Sequence, residues 1–359
     1  MILNSVFVKN VGGFFEAPEA PIKNIKKSAL HFLLTTYERN LFYNDGREII
    51  NAVLNFTSKT RFKKCYVPSY LCGSILQAYS QNNLSLNFYE VDDDFSYRFE
   101  CEPSDSIVLL IDYFGTEKYS NKQIMELLDN NIVILDVTQS LFSKNRFKII
   151  HPNLFLFASL RKTFPIPDGS ILFYSAKDFV DKQIQPDGHY YMLELMLRKY
   201  FNLKYEENYN EKLYSEYKIY EERKDASIIQ SKEMPIISKY ILSYLDFGEI
   251  FRMRRCNLNY LFENIDEEIS IINKREIKSP FFFPIKLSSL RVRNSLQREL
   301  ANNGIFCPIH WVLPESVPHK FDRSYELSNT ILSLPIDQRN TPSDLDRMVD
   351  LINSFVVKI

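Results

Sequence analysis

Paired cysteines, glycine, net charge and long apolar runs are all scarce in this chain, and each scarcity excludes something. The five cysteines (Cys65, Cys72, Cys101, Cys256 and Cys307) are scattered, odd in number and form no Cys-x-x-Cys. That pattern argues against a disulfide framework or a zinc site and for a reducing compartment. Acidic and basic residues nearly cancel, 45 against 44, so no long-range field draws in nucleic acid or an anionic membrane. The most apolar stretches, such as Ile107 to Ile111, are too short to span a bilayer. The opening Met1-Ile-Leu-Asn-Ser-Val-Phe-Val-Lys9 has no basic segment followed by a long apolar run, so no signal peptide is expected. The expected location is the cytoplasm.

With nine glycines in 359 residues, each one carries positional meaning. Gly12-Gly13 precedes Phe14-Phe15 and suggests an N-terminal arm docking on the body. Gly46 opens a segment of helical periodicity, Gly46-Arg47-Glu48-Ile49-Ile50. Gly73, Gly115 and Gly169 fall beside apolar runs, where tight turns favour a residue without Cβ.

From about residue 62 the pattern alternates as in a parallel α/β sheet. Strands are expected at 65–67, 84–91, 106–113, 131–136, 154–159 and 169–174, with helices at 72–80 and 120–128. The stretch 186–265 is rich in Lys, Glu, Tyr and Leu and reads as helical. Strand character resumes at 280–287, a helix is expected at 291–303, a strand at 305–311 and a terminal helix at 344–355. The expected division is an arm at 1–20, a large domain at 21–250 and a smaller C-terminal α/β domain at 251–359. The run Asp92-Asp93-Asp94 reads as a solvated turn rather than a cation site, because no further acidic ligands stand at suitable spacing.

One pair of residues bears on chemistry. Asp136 closes the apolar run Asn131-Ile-Val-Ile-Leu-Asp136, and Lys162 follows the next strand in Ser159-Leu-Arg-Lys162-Thr-Phe-Pro-Ile-Pro-Asp168-Gly169. A carboxylate at one strand end and a lysine just past the next are what pyridoxal phosphate (PLP) requires. The acid keeps the pyridine nitrogen protonated; the lysine holds the cofactor covalently and moves protons. Ligands of open α/β sheets sit at the carboxyl ends of strands, where Asp136, Gln139, Ser159 and Lys162 all fall. Gly46-Arg47 stands at a helix start, where free N–H groups favour a phosphate.

With these motifs the chain resembles the DegT/DnrJ family of PLP-dependent nucleotide-sugar aminotransferases, within fold type I. The likeness runs from Gly12-Gly13-Phe14 almost to the C-terminus, through Asn44-Asp45-Gly46-Arg47, Val67-Pro68-Ser69-Tyr70 and Asp136-Val-Thr-Gln139-Ser140. It continues through the lysine segment, Gly304-Ile-Phe-Cys-Pro-Ile-His310-Trp311 and Leu334-Pro335. The resemblance implies a mostly parallel sheet flanked by helices, a PLP cofactor and a homodimer with shared sites. It also implies amino transfer from an amino acid, glutamate first, to a keto nucleotide sugar.

Carried over residue by residue, the family implies that Lys162 holds PLP and shuttles the proton, and that Asp136 pairs with the pyridinium nitrogen. Gln139 would meet the ring hydroxyl or the ring face. Ser159 would offer its hydroxyl to the phosphate, and Gly46 and Arg47 would cradle it. Tyr70 and Cys72 stand near the position where relatives place an aromatic residue on the cofactor. Arg47, Arg161, Arg291 and Arg293 are candidates for phosphate contacts, and no arginine is assignable to an amino-acid α-carboxylate. The partner-reaching Asn-Tyr-Arg element of relatives is not evident before Met234-Pro235. These departures keep open a PLP-fold binding or regulatory protein without catalysis.

Overall fold

The computed structural model describes residues 10–18, 25–58, 60–62, 64–186, 191–205 and 210–356. The first nine residues of the expected arm, and residues 19 and 20, lie outside them. In chain order the described elements begin with β1 (Val11–Gly12), α1 (Ala29–Thr35), β2 (Arg39–Tyr43), α2 (Gly46–Thr57), β3 (Lys64–Pro68), α3 (Gly73–Gln81), β4 (Leu86–Val91) and β5 (Tyr97–Arg98). There follow β6 (Ser106–Ile111), α4 (Asn121–Leu128), β7 (Asn131–Asp136), β8 (Leu154–Ser159) and β9 (Ser170–Tyr174). Helices α5 (Tyr191–Tyr205), α6 (Asn210–Ala226), α7 (Ile236–Tyr244) and α8 (Phe247–Asn264) come next. The chain closes with β10 (Phe282–Lys286), α9 (Leu290–Asn302), β11 (Ile305–Phe306), α10 (Asp322–Thr330), β12 (Ile331–Pro335) and α11 (Pro342–Val356).

Among the described residues one eight-stranded sheet runs β2-β9-β8-β7-β6-β3-β4-β5. The strands from β8 to β4 are parallel, while β9 is antiparallel to both β8 and β2, and β5 is antiparallel to β4. Every residue of β6, Ser-Ile-Val-Leu-Leu-Ile, is buried, as expected of a strand covered by helices on both faces. The chain steps outward from β3 to β4, then returns to place β6 on the other side of β3. That reversal opens the crevice at the carboxyl ends of β3 and β6, the usual ligand position in such sheets.

The sheet ends where sequence chemistry changes. β6 stops at Ile111 rather than running to Tyr113, because Tyr113–Gly115 form a tight turn with positive φ at Phe114 (50°) and Gly115 (74°). A Cβ on Gly115 would stand 1.7 Å from the Ser279 carbonyl oxygen, so only glycine fits there. Gly73 differs from expectation: it starts α3 at ordinary φ.

The C-terminal part adds an antiparallel β10–β12 pair, and β1 of the arm pairs in parallel with β11, which docks the arm. The strand expected over 305–311 is only Ile305–Phe306. Pro308 has no N–H to offer a ladder, and the Pro308 carbonyl instead accepts from Ser333 N at 3.1 Å. Strands β2 and β12 were not anticipated from the sequence. Asp92, Asp93 and Asp94 lie on a turn and pair with Arg98, Arg323, Lys286 and Lys118, which fits the solvated-turn reading. Among the described residues no helix is long and apolar enough to cross a membrane, and no group of His, Cys, Asp and Glu converges as a metal site.

Candidate active site

Lys162 ends a short turn, Leu160–Lys162, between β8 and the antiparallel β9. That turn is pinned at its base: Leu160 N donates to Gly169 O at 2.9 Å, and Phe164 N to Leu160 O at 2.8 Å. Behind it, α8 sends in Arg254, which is 1% exposed. Its guanidinium donates to Thr163 O (3.3 Å), Phe281 O (3.2 Å) and Gln338 Oε1 (2.9 Å). Burial lowers the Arg254 pKa to about 10 against the pull of Asp337. A cation held wholly by carbonyl and amide oxygens fixes the lysine turn to the C-terminal part.

Asp136 sits one strand away. Its Oδ1 accepts from Thr138 N at 2.8 Å, and Thr138 Oγ1 accepts from Ser159 N at 3.0 Å, so the ends of β7 and β8 are stitched together. Burial raises the Asp136 pKa, while the hydrogen bonds from Thr138 and the charge of Lys162 oppose that rise. His310 completes the group. Its Nδ1 meets Ser333 Oγ at 2.9 Å, and its ring lies 4.9 Å from that of Phe282. Burial first, and then the Lys162 cation, push the His310 pKa down to about 3, so the ring is neutral at physiological pH.

Lys162 and His310 line a cleft of about 670 Å³ between the arm, the α5–α6 hairpin and the C-terminal part. Phe14, Phe15, Tyr214, Tyr217 and Phe282 give it aromatic walls, and Arg161 and Arg298 are its remaining cations. Such a volume suits a small organic ligand with a few convergent polar groups.

At the start of α2, Asp45 is the N-cap and accepts from Arg47 N at 2.9 Å. The Arg47 guanidinium is committed to Asp45 (3.3 Å), Gln77 (2.7 Å), Asp225 (3.1 Å) and Lys224 O (3.2 Å). Lys224 of α6 reaches Asp45 at 2.9 Å and also contacts Asp168, and Arg161 pairs with Glu221 at 2.8 Å. Burial alone would raise Asp45, but Lys224, Arg47 and Arg161 hold its carboxyl well below the usual range. Gly46 needs no positive φ, and a Cβ there would meet Phe157 only at ordinary contact, 3.4 Å. Packing therefore does not require glycine at this helix start.

The other sequence candidates scatter. Gln139 turns inward, its Oε1 accepting from Phe114 N at 2.6 Å. Tyr70 is fully buried among Phe95, Tyr113 and Trp311. Cys72 caps α3, with Sγ 3.1 Å from Ser74 Oγ. Arg293 is buried and Arg291 exposed. Sequence reasoning missed Arg254, Lys224 and Glu221, which approach from helices 59 to 92 positions beyond Lys162. No local motif marks them. It also missed the buried Asp112–Arg146 pair under the β6 end (2.7 Å), although an acid closing an apolar strand was a usable signal.

The pieces that PLP would need are compatible with the group. Lys162 faces a cleft, Asp136 stands half-buried at the end of the neighbouring strand, and three cations stand at the α2 start. Their carboxylate partners mean that a phosphate there would exchange contacts rather than add to them.

No protein-family model matches the sequence, and no curated protein does. Solved structures do match over nearly the whole chain. Spr1654 from Streptococcus pneumoniae, assigned as a sugar aminotransferase and solved in its PLP form, superposes with TM-score 0.66 at 13% identity, covering 97% of this chain and 93% of that one. A DegT DnrJ EryC1 StrS aminotransferase from Brucella abortus gives 0.62 at 15% identity, over 94% and 91%. The sugar aminotransferase CalS13 from Micromonospora echinospora gives 0.60 at 12% identity, over 95% and 99%. A mostly parallel sheet, a lysine turn between β8 and β9, and an α/β C-terminal part thus make this the fold of the type I PLP-dependent transferases.

Proposed function

We propose that the chain is a PLP-dependent aminotransferase that moves an amino group from an amino acid, glutamate first, to a keto sugar carried on a nucleotide. The observation that carries this is Lys162 on the wall of a cleft of about 670 Å³, with Asp136 at the end of the neighbouring strand. The likeness to sugar aminotransferases supports it at the level of fold, and fold alone does not select a substrate.

Bound in the cleft, PLP supplies a ring that accepts electrons from the carbon carrying the amino group. The remaining work falls to the chain's own residues. Lys162 Nζ would hold the group and would carry the proton to and from the substrate carbon. Asp136 would pair with the ring nitrogen; burial raises its pKa, and the Thr138 hydrogen bonds and the Lys162 charge oppose that rise. Arg254 fixes the backbone of the lysine turn through Thr163 O. His310, kept neutral, adds no second cation beside Lys162. Gly46, Arg47 and Ser159 would serve the phosphate, with Gln139 and Cys72 around the ring; Tyr70, wholly buried, stands outside this set. Within this reading the arm is 1–20, the large domain 21–250 and the small domain 251–359. The enzyme works in the cytoplasm as a homodimer, supported by exposed apolar side chains such as Val180, Ile228 and Ile236.

Borohydride reduction of the protein with PLP should leave the mass adduct on the peptide containing Lys162. Glutamate should convert the bound cofactor in a half-reaction that Lys162→Ala abolishes. An adduct on another lysine, or none, would sink the cofactor assignment. Transfer to simple α-keto acids with none to any keto nucleotide sugar would sink the substrate class.

A further inference from the structure

Arg293 stands in the first turn of α9 and is only 3% exposed. Its Nε and Nη1 are enclosed and meet no acceptor among the described residues. The buried arginines Arg146 and Arg254 show what this protein otherwise does with such a group. Arg146 is matched to Asp112 and Asn121, and Arg254 to three oxygens. Arg293 alone of the three has no match. Burial lowers its pKa, with the Tyr70 hydroxyl the one opposing influence.

Tyr70 provides the second observation. It is 0% exposed, and its hydroxyl also lacks a partner. The Trp311 backbone N–H lies near that oxygen, and no acceptor meets the hydroxyl proton. The ring is immobilised by Phe95, Tyr113 and Trp311, whose centroids lie 6.2, 5.6 and 5.5 Å away, and Tyr113 OH donates to Tyr70 O. The donor is therefore rigidly presented. Across the same seam Ser69 Oγ meets Ser324 Oγ at 2.7 Å, which binds the turn after β3 to α10, and α10 packs on α9.

Buried donors without acceptors are costly, and a buried charge without a counterion more so. Two such unpaired groups that feel each other's charge, one of them in a first helical turn whose dipole favours negative charge, describe the receiving half of an anion site. We propose that Arg293 and Tyr70 form a binding site for one carboxylate group of a small molecule, between the first turn of α9 and the turn after β3. A carboxylate suits it better than a phosphate. One guanidinium and one neutral hydroxyl offset about one negative charge, and a dianion here would remain half uncompensated in a dry setting. The planar guanidinium and the O–H match the two oxygens of a carboxylate. The site does not line the Lys162 cleft and does not depend on the proposed cofactor.

The test uses the full chain freed of cofactor, in thermal unfolding with sodium acetate, sodium glutamate, sodium phosphate or sodium chloride at matched ionic strength. Acetate and glutamate should raise Tm by roughly 2 °C at ten times their dissociation constant, and phosphate and chloride should not. Glutamate binding where acetate does not would mark the amino donor as the source; acetate alone would mark a general small carboxylate. Arg293→Met should abolish the shift. Tyr70→Phe, which keeps the ring packing, should weaken carboxylate binding about five-fold, the loss of one hydrogen bond. Equal shifts in wild type and Arg293→Met would overturn the site. So would an Arg293→Met protein more stable than wild type when wild type itself ignores carboxylates. Arg293 would then be a buried cation with no ligand. Because no arm involves PLP, failure here and failure of the aminotransferase reading are distinguishable.

Discussion

Strand β6 and helix α6 are held to the rest of the protein by different forces. All six residues of β6 are buried and its five apolar side chains join the main core, with neighbours β3 and β7 in parallel register on either side. Along α6, Leu213 is buried, whereas Tyr214 and Ile219 are exposed. Leu213 belongs to a separate small cluster with Met192, Leu195 and Met196. What fixes α6 is charge: Arg198–Glu216 at 2.5 Å, Arg161–Glu221 at 2.8 Å, Lys224 on Asp45 and Asp168, and Asp225 on Arg47. A helix polar nearly all round depends on such pairs. The lesson is a division of labour. The apolar strands set Asp136 and the lysine turn whatever the solvent, while one wall of the cleft is attached by contacts that pH and salt can weaken.

The largest effect should come from breaking the charged pair that the apolar sheet does tolerate. Arg146 and Asp112 are 0% and 3% exposed at the side chain and meet at 2.7 Å, with Ser140 Oγ also donating to Asp112. Asp112→Ala should cost about 3–5 kcal/mol in urea unfolding, because it strands a buried guanidinium. Replacing both residues by apolar ones of similar size should cost much less. A loss under about 1 kcal/mol for the single variant would mean that the pair is solvated, and the contrast with α6 would collapse.

An intermediate effect tests the seam between the two regions, where α2 carries two acids three residues apart with opposite fates. Asp45 is held ionised by the α6 cations, whereas Glu48 is governed by burial, with the Asp45 charge adding to the rise; its pKa goes up to about 8. Glu48 is 6% exposed, and its Oε2 accepts from Lys232 N at 3.1 Å. Between pH 4.5, the ordinary value, and about 8, the folded chain keeps a proton that the unfolded chain releases. Stability from this group is therefore fully present below pH 4.5 and is lost as pH rises through 8. Glu48→Gln should flatten that slope and stabilise the protein by about 1–2 kcal/mol at pH 8.5, with little change at pH 4.5. Parallel stability curves for the two proteins would show Glu48 to be ionised when folded.

The same contrast explains what could be read from the sequence. Uninterrupted apolar runs made β6, β7, β8 and β9 legible, and with them the strand-end positions of Asp136, Ser159 and Lys162. The helical character of 191–205 and 210–226 was legible from composition. Its placement was not, because Lys224 meets Asp45 across 179 positions (224 − 45) and no local pattern encodes an ion pair over that distance. Arg47 looked like a free cation beside a helix start until α6 supplied Asp225 and Lys224 O. β2 and β12 escaped because a five-residue strand ending in Tyr43 or Pro335 carries little alternation. Pro308, by contrast, was visible and should have shortened the strand expected over 305–311.

The smallest effect is the most direct test of how α6 is attached. At 1 M salt the screening length falls to about 3 Å, and partly exposed pairs such as Arg198–Glu216, 36% and 20% exposed at the side chain, contribute only about 0.2–1 kcal/mol each. Raising sodium chloride from 0.05 to 1 M should therefore speed amide exchange in α6 about two- to five-fold while leaving β6 unchanged. Glu216→Gln should reproduce part of that acceleration at low salt and remove part of the salt response. The inner contacts of Lys224 with Asp45 and Asp168, whose side chains are 11–13% exposed, should resist salt, so the end of α6 near Lys224 should stay protected longer than the end near Glu216. Uniform acceleration along the helix would mean that the inner cluster does not anchor it. No acceleration at all would mean that the small apolar cluster around Leu213 holds the hairpin in place, and that α6 is attached by the same force as β6.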